Sequence, residues 1–574
     1  MAKNKKRKNN RKRNNHKKHN QNIKKQVLQS TDNQAAKSSR QQNAENHNKQ
    51  SDKDTAKTLH LGIYDILFIL IMILGVFVRI YRFGSLPDGI NQDEAFAGYE
   101  AYSLLHYGKD SFGYGCPVYF VSWGSGMNVL NSYLMIPFIA LFGLKTWVIR
   151  LPQLLVAIFT LITVYLTMKK LFDEKAGLVA AFILAVVPWH IMLARWGLES
   201  NLAPGFLMFG MYFFIRGMEK SGFYIVSALM YGLSLYSYAT IWPFVPLIIL
   251  LEIMYAVYKK SIKINKDTII SFVVLGVLAM PLFLFLLVNS GRIDEIKTKF
   301  ISIPKLLYMR SGEVSLKNIP DNFKNFKNIM MQQNDGFITN VYGDYGFLYK
   351  LTLIFFAFGL IMAIFRIIKS GKKFKNREDI PQILLLIQFI VGFIITLIVY
   401  VNVNRANCIM IPIILIAAYG IYELMEMLDV KVVAGGVAII YLFFFFNFTG
   451  AYFKSYNDDA RYAFSAGLEE AMEFAAENVR EGGNIYVTSS VAHSRVMFYS
   501  KIPVDEYIDT VVYNNYPGAY IGTDSFGRYI MSFDIYSPDP NGIYILDMGT
   551  DTSALQDAGF AIKQCGIYEV AYHE

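Results

Sequence analysis

Twelve apolar runs dominate this 574-residue chain and confine it to a bilayer. They lie near 61–81, 127–144, 147–168, 175–194, 201–218, 221–239, 241–258, 267–289, 348–369, 380–401, 407–426 and 431–448. About 20 helical residues cover the hydrocarbon of a membrane, and a helix satisfies its own backbone there. A composition that is 53% hydrophobic and 15% aromatic agrees with a polytopic membrane protein.

The basic residues orient the runs. Residues 1–60 hold 17 Lys and Arg against 4 Asp and Glu, whereas the rest of the chain carries 39 and 41. Lys169-Lys170, Arg216 to Lys220, Lys259 to Lys266 and Lys369 to Arg377 are four short basic loops separated by poorly basic ones. The positive-inside rule places them and the N-terminus in the cytoplasm. That alternation accepts eleven crossings. The odd run, 127–144, contains two Asn and Pro137 and reads as a juxtamembrane segment dipping into the outer leaflet. The expected fold is a polytopic α-helical membrane protein of about eleven transmembrane helices.

The first 60 residues, rich in Lys, Asn and Gln, have almost nothing to bury and read as a disordered cytoplasmic tail near anionic lipid. No aromatic residue interleaves there to stack on bases, so no nucleic-acid partner is assigned. Residues 61–450 form the membrane domain. Its outer regions are the first loop 82–146, the turn ARWGLESN at 194–201, the long loop 290–347 and the short turn VNVNRAN at 401–407. Past Thr449 the pattern changes. GLEEAMEFAAENV is an amphipathic helix, and NIYVTSS, GIYILDM and YEVAYHE read as strands. Residues 451–574 are therefore expected to be a small extracytoplasmic α/β domain. Cys116 and Cys565 would both face outside, and sequence leaves their pairing open.

The charged residues cluster on that outer side. Asp93 and Glu94 follow the first span in GINQDEAFAGYEAY, where they are either helix-capping acids or a base for an incoming hydroxyl. Arg195 and Glu199 stand one helical turn apart and read by themselves as a pair. Arg405 runs against the orientation bias and needs a partner or a phosphate, unless it snorkels. Tyr99, and Tyr342 with Asp344 in VYGDYG, are further candidates for the pocket. His190 in PWH reads as a packing residue, with metal ligation the alternative. A base and a cationic clamp at the headgroup level are what attack on a phospholipid-linked group requires. No GxxxxGK[ST], GxGxxG or HExxH occurs.

Taken in order, DEAFAGYEAYSLLHYGKD, WVIRLPQLLVAIFTLITVYLTMKKLF, AGLVAAFILAVVPWHIMLARWGLESNLAP and NRANCIMIPIILIAAYG resemble the GT-C membrane glycosyltransferases, in particular family 39. That family contains the protein O-mannosyltransferases and the lipid A aminoarabinose transferase. The resemblance runs along roughly 61–450. It implies an extracytoplasmic, inverting transfer from a polyprenyl-phosphate sugar to a hydroxyl acceptor (protein, cell-wall polymer or lipid). Asp93 would be the base and Glu94 its assistant. Arg405 and Arg195 would bind the donor phosphate, and Glu199 would line the pocket. No cofactor is firmly implied; some relatives hold a divalent ion. The chain departs from the family where SWGSGMNVLNSY replaces a Lys-Pro pair and where Ala406 and Asn407 follow Arg405. A flippase or transporter for a lipid-linked sugar is the alternative, and it would need ionisable residues along a mid-membrane path.

Overall fold

The computed structural model describes residues 61–298, 300–309 and 315–573; the basic tail expected at 1–60 lies outside them. Among the described residues, eight helices are long and apolar enough to cross a membrane. Three other expected runs form shorter helices: Glu174–Val186 continued by Pro188–Leu193, Ala203–Gly217 and Gly222–Ser234. Pro188 cannot donate to the preceding turn, so the helix breaks at Val187, which is extended. The elements that build the site are α1 (Ile63–Ile80), α2 (Gln92–Tyr107), α3 (Leu130–Phe142), α4 (Leu151–Leu171) and α5 (Ala203–Gly217). They are joined by α6 (Pro381–Ile398), α7 (Asn407–Met427) and α8 (Val430–Ala460). The 13-residue α3 covers the run assigned to a juxtamembrane segment.

The four basic loops meet at one end of the bundle. Lys170 pairs with Glu219, Ser221 Oγ donates to Asp267 at 2.6 Å, and Lys259 lies 2.8 Å from Asp379. Such exposed pairs add little stability, but they bring the loops to one face. Helix α7 measures the bundle. Its last turn carries Glu426, held by Lys175 at 2.6 Å. Its first residue, Asn407, reaches Ser200 and Asn201. Twenty-one residues separate those ends by roughly 30 Å at the helical rise, about the thickness of the hydrocarbon. The helices bury few charges between the two ends. Glu252 is one: it accepts from Tyr231 Oη and Gln388 Nε2, both at 2.9 Å.

Helix α8 runs to Ala460, beyond the change of pattern expected at Thr449. Its final turns stay helical because they carry a buried aromatic stripe, Phe448, Tyr452 and Tyr456. Against that stripe stacks Tyr342, whose hydroxyl donates to Asp459 at 2.8 Å. The long outer loop is also more ordered than its sequence suggests. It contains a short hairpin pairing Ile296–Lys297 with Ser302–Ile303 and the helix Ile319–Gln332.

After α8 come α9 (Leu468–Asn478), α10 (His493–Ser500) and a mixed seven-stranded sheet. Its strands are β1 (Ile485–Val487), β2 (Val512–Asn514), β3 (Gly522–Phe526), β4 (Tyr529–Ile530), β5 (Ile543–Asp547), β6 (Ala561–Cys565) and β7 (Tyr568–Tyr572). The order is β2-β3-β4-β1-β5-β7-β6, with central β1 parallel to β4 and β5. Apolar Ile485, Val487, Ile543, Ile545 and Val570 form the core on which α9 packs. All three cysteines are free, with Cys565 buried in β6.

Candidate active site

Adjacent acids at the start of α2 take opposite fates. Asn91 caps the helix: its side chain accepts the Asp93 N–H at 3.0 Å, and Glu94 returns the bond by accepting the Asn91 N–H at 3.0 Å. This capping box turns Glu94 inward. There its carboxylate meets Arg150, Nε at 3.1 Å and Nη2 at 2.6 Å, in a fully buried bidentate pair. The Gly197 N–H adds a fourth donor at 2.7 Å. A Cβ on Gly197 would fall 3.1 Å from the Glu94 Cβ, so glycine permits that approach. With both oxygens engaged, Glu94 is a fixed anchor tying α2 to α4 and to the 194–201 turn. The expectation that it assists the reaction gives way to this structural role.

Asp93 points elsewhere, half-buried. Burial pushes its carboxyl above the ordinary range and Glu94 adds to the rise, while the Trp123 indole and the Arg495 guanidinium counter it. Glu199 is its neighbour. Burial and the Asp93 charge raise the Glu199 carboxyl well above its usual range, against the backbone N–H of Asn128, which bonds to it. At Asp93 the Arg495 charge opposes that rise, since a nearby cation favours the ionised form of a carboxyl.

The floor of the site comes from the 199–202 turn and the head of α7. Asn407 Oδ1 accepts from the Trp189 indole at 2.9 Å, and its amide faces Asn201 Oδ1 at 3.3 Å. Arg405 precedes it by two residues and is half-buried. It borders a small cleft lined by Thr240, Ile241, Phe244, Ile395, Thr396 and Cys408. The Thr240 hydroxyl in that cleft is buried without a hydrogen-bond partner. A second small cleft shares Cys408 and lies along α7 at Ile411, Pro412 and Leu415, walled by Leu207, Met208 and Met211 of α5 and by Gln388.

Four other expected site residues lie in other surroundings. Arg195 does not hold phosphate, because all five of its N–H donors are spent on backbone carbonyls. They reach Leu86, Val78, Arg79, Tyr81 and Arg82 at 2.8–3.1 Å, closing the C-terminus of α1. A cation suits a helix C-terminus. Nor does Arg195 pair with Glu199. Tyr99 is buried and donates to Ile502 O at 2.8 Å, fastening α2 to the C-terminal domain. Tyr342 belongs to the aromatic stripe of α8, while Asp344 stays exposed on its turn. His190 packs with Nδ1 2.7 Å from Arg79 Nη2. Among the described residues no three His, Cys, Asp or Glu side chains are grouped to hold a metal ion.

Sequence reading passed over several residues that frame the site. Arg150 lay in the noticed RLP stretch, but its partner is 56 positions away. Trp123 and Asn128 sit in the loop SWGSGMN, where the Ser122 hydroxyl is buried without a hydrogen-bond partner. That loop is held by the C-terminal domain, since the Ile521 N–H donates to Trp123 O at 2.9 Å. Gly124, at φ +99°, passes so close to Gly518 that a Cβ would lie 2.1 Å from its carbonyl oxygen.

A helical membrane bundle with a small sheet domain has counterparts among solved structures. The solved structure of ArnT from Cupriavidus metallidurans bound to undecaprenyl phosphate superposes with a TM-score of 0.53 at 12% identity, covering 88% of this chain and 97% of that one. Its apo form gives 0.50 over the same shares. Archaeoglobus fulgidus AglB, an oligosaccharyltransferase solved with an inhibitory peptide and a dolichol-phosphate, gives 0.44 at 12% identity over 77% of this chain. The chain spans 63% of that protein's length. Residues 129–301 match the family described as dolichyl-phosphate-mannose-protein mannosyltransferase. No curated protein sequence matches. At 12% identity the likeness to ArnT is one of fold.

Proposed function

We propose that this protein is an inverting glycosyltransferase that moves a sugar from a polyprenyl phosphate to a hydroxyl on the extracytoplasmic face. The observation that carries the reading is the convergence of four chain segments at one mouth of the bundle. Glu94, next to Asp93, accepts the Gly197 N–H, Glu199 accepts from Asn128, and the next residues, Ser200 and Asn201, meet Asn407 two positions from Arg405. The basic loops gather at the opposite end, which supports a cytoplasmic N-terminus and an external site.

In this reading the prenyl chain lies along α7 and α5, and the phosphate meets Arg405 and the Thr240 hydroxyl. The acceptor hydroxyl approaches Asp93. Its proton passes to the Asp93 carboxylate as its oxygen bonds the anomeric carbon from the face opposite the phosphate. The sugar–phosphate bond breaks, and the departing charge is met by Arg405. A carboxyl raised above the ordinary range is a stronger base than a surface aspartate, provided it is ionised. Membranes from a strain lacking the gene, which supply donor and acceptor, test the reading. Added wild-type protein should restore the missing glycan, read by mass spectrometry. Asp93→Asn should bind polyprenyl phosphate normally yet restore none; full restoration by that variant would remove Asp93 as the base.

A further inference from the structure

The helix Ile319–Gln332 of the long outer loop has three faces in different company. On the first, Asn322, Phe326, Ile329 and Met330 are buried. Asn322 Nδ2 donates to Leu397 O at 3.0 Å and Asn325 Nδ2 to Val401 O at 2.8 Å, and the Phe326 ring lies 5.6 Å from that of Phe393. Leu397 belongs to the last turn of α6, whose carbonyls have no partner within the helix. The loop helix is thereby pinned where a membrane span ends. The chain beyond it is pinned there too, since Asp335 Oδ2 accepts the Val403 N–H at 2.9 Å in the turn that leads to Arg405.

Four-residue spacing puts Phe323, Lys327 and Met331 in one row on the second face, with Lys324 at its margin. Phe323 is 50% exposed and Met331 64%, and Leu316 and Phe337 at either end of the helix are exposed as well. The Phe323 ring lies 6.4 Å from that of Phe393, and α6 exposes Ile390 and Ile394 on either side of Phe393 in sequence. The row thus continues the lipid-facing surface of a span. The third face holds Asp321, Asn328 and Gln332, all polar and exposed. Apolar side chains interleaved with lysines on one face and polar residues on the next are the pattern of a helix lying in the plane of a membrane surface.

We propose that this row is a docking surface for anionic phospholipid. Phe323 and Met331 enter the acyl boundary, while Lys324 and Lys327 lay their stems along it and hold headgroup phosphates. Place and charge define the occupant: the row borders the end of a span, and cations sit among its apolar members. The seated helix holds the 401–405 turn at headgroup depth, whether or not Asp93 is the base.

The test uses the full-length protein in lipid nanodiscs, carrying Phe323→Trp, Met331→Trp or Asn328→Trp, with wild-type emission subtracted. Phosphatidylcholine brominated on its acyl chains should quench the added emission at 323 and 331, and aqueous iodide should quench it at 328. Iodide quenching at all three positions, with no effect of the brominated lipid, refutes the proposal. Protection of 323 and 331 from both quenchers refutes it as well, because a protein surface then covers the row. Brominated phosphatidylglycerol diluted into phosphatidylcholine should quench residue 323 more than the same fraction of brominated phosphatidylcholine does. Adding Lys324→Gln and Lys327→Gln should abolish that preference, which amounts to about fivefold for each cation at the surface. Equal quenching by the two lipids with both lysines present overturns the anionic assignment.

Discussion

Glu94→Gln separates an anchor from a reactive group. In the native site this carboxylate takes four donors: two from Arg150, one from Gly197 and one from Asn91. The glutamine amide retains one acceptor oxygen and turns an NH₂ toward groups that are themselves donors. Arg150 stays charged and fully buried, with only the Pro87 and Gly89 carbonyls, at 2.8 and 2.7 Å, to hold it. Removing one partner of a buried ion pair costs roughly 3–5 kcal/mol, while the capping box survives because glutamine serves at that position too. We therefore expect destabilisation of about 3–5 kcal/mol, read as a marked fall in the thermal midpoint in detergent and in the yield of monodisperse protein. The double variant Glu94→Gln/Arg150→Met removes the stranded charge and should recover part of the loss, giving a coupling of at least about 1 kcal/mol. Wild-type thermal stability in Glu94→Gln together with abolished transfer would refute the reasoning. Glu94 would then be a participant in the reaction.

Three further outcomes follow from the geometry. Arg195→Met should cost about 4 kcal/mol or more, because four carbonyls at the end of α1 and that of Leu86 lose its donors at once, while any folded protein keeps wild-type affinity for polyprenyl phosphate in a binding assay. Arg405→Gln should weaken donor binding roughly 30- to 100-fold, about 2–3 kcal/mol for a charge-assisted phosphate contact; isothermal titration with polyprenyl phosphate checks this. In a pH profile of kcat/KM, transfer should be lost as pH falls through a value above the ordinary aspartate range. The raised Asp93 carboxyl then takes up the proton that disables it.

The run lengths, the basic-loop alternation and the strands at 484–490, 542–548 and 568–574 were legible because each depends on local periodicity or composition. Strands β2 to β4 were not, since VYN, GTDSF and YI carry polar or turn-forming residues and owe their pairing to neighbours. The site shows the same division. Asp93 and Glu94 look equivalent in sequence, and only Arg150, brought by a separate helix, makes one an anchor and leaves the other available. Arg195 and Glu199 keep helical spacing, yet the helix ends at Leu193, so they diverge and never pair. The place of α10 was invisible because nothing in HSRVMFYS signals that Ser494 and Arg495 bond to the Gln92 and Ile90 carbonyls at the head of α2.

The central claim is that one outer pocket holds both the base and the phosphate clamp. A structure of the Asp93→Asn variant with a polyprenyl-phosphate sugar tests it most directly. The account places the phosphate against Arg405 and Thr240, the prenyl chain beside α7, and the anomeric carbon facing residue 93. Density for the phosphate at the basic end of the bundle, or against Arg405 with the sugar turned away from residue 93, would contradict it.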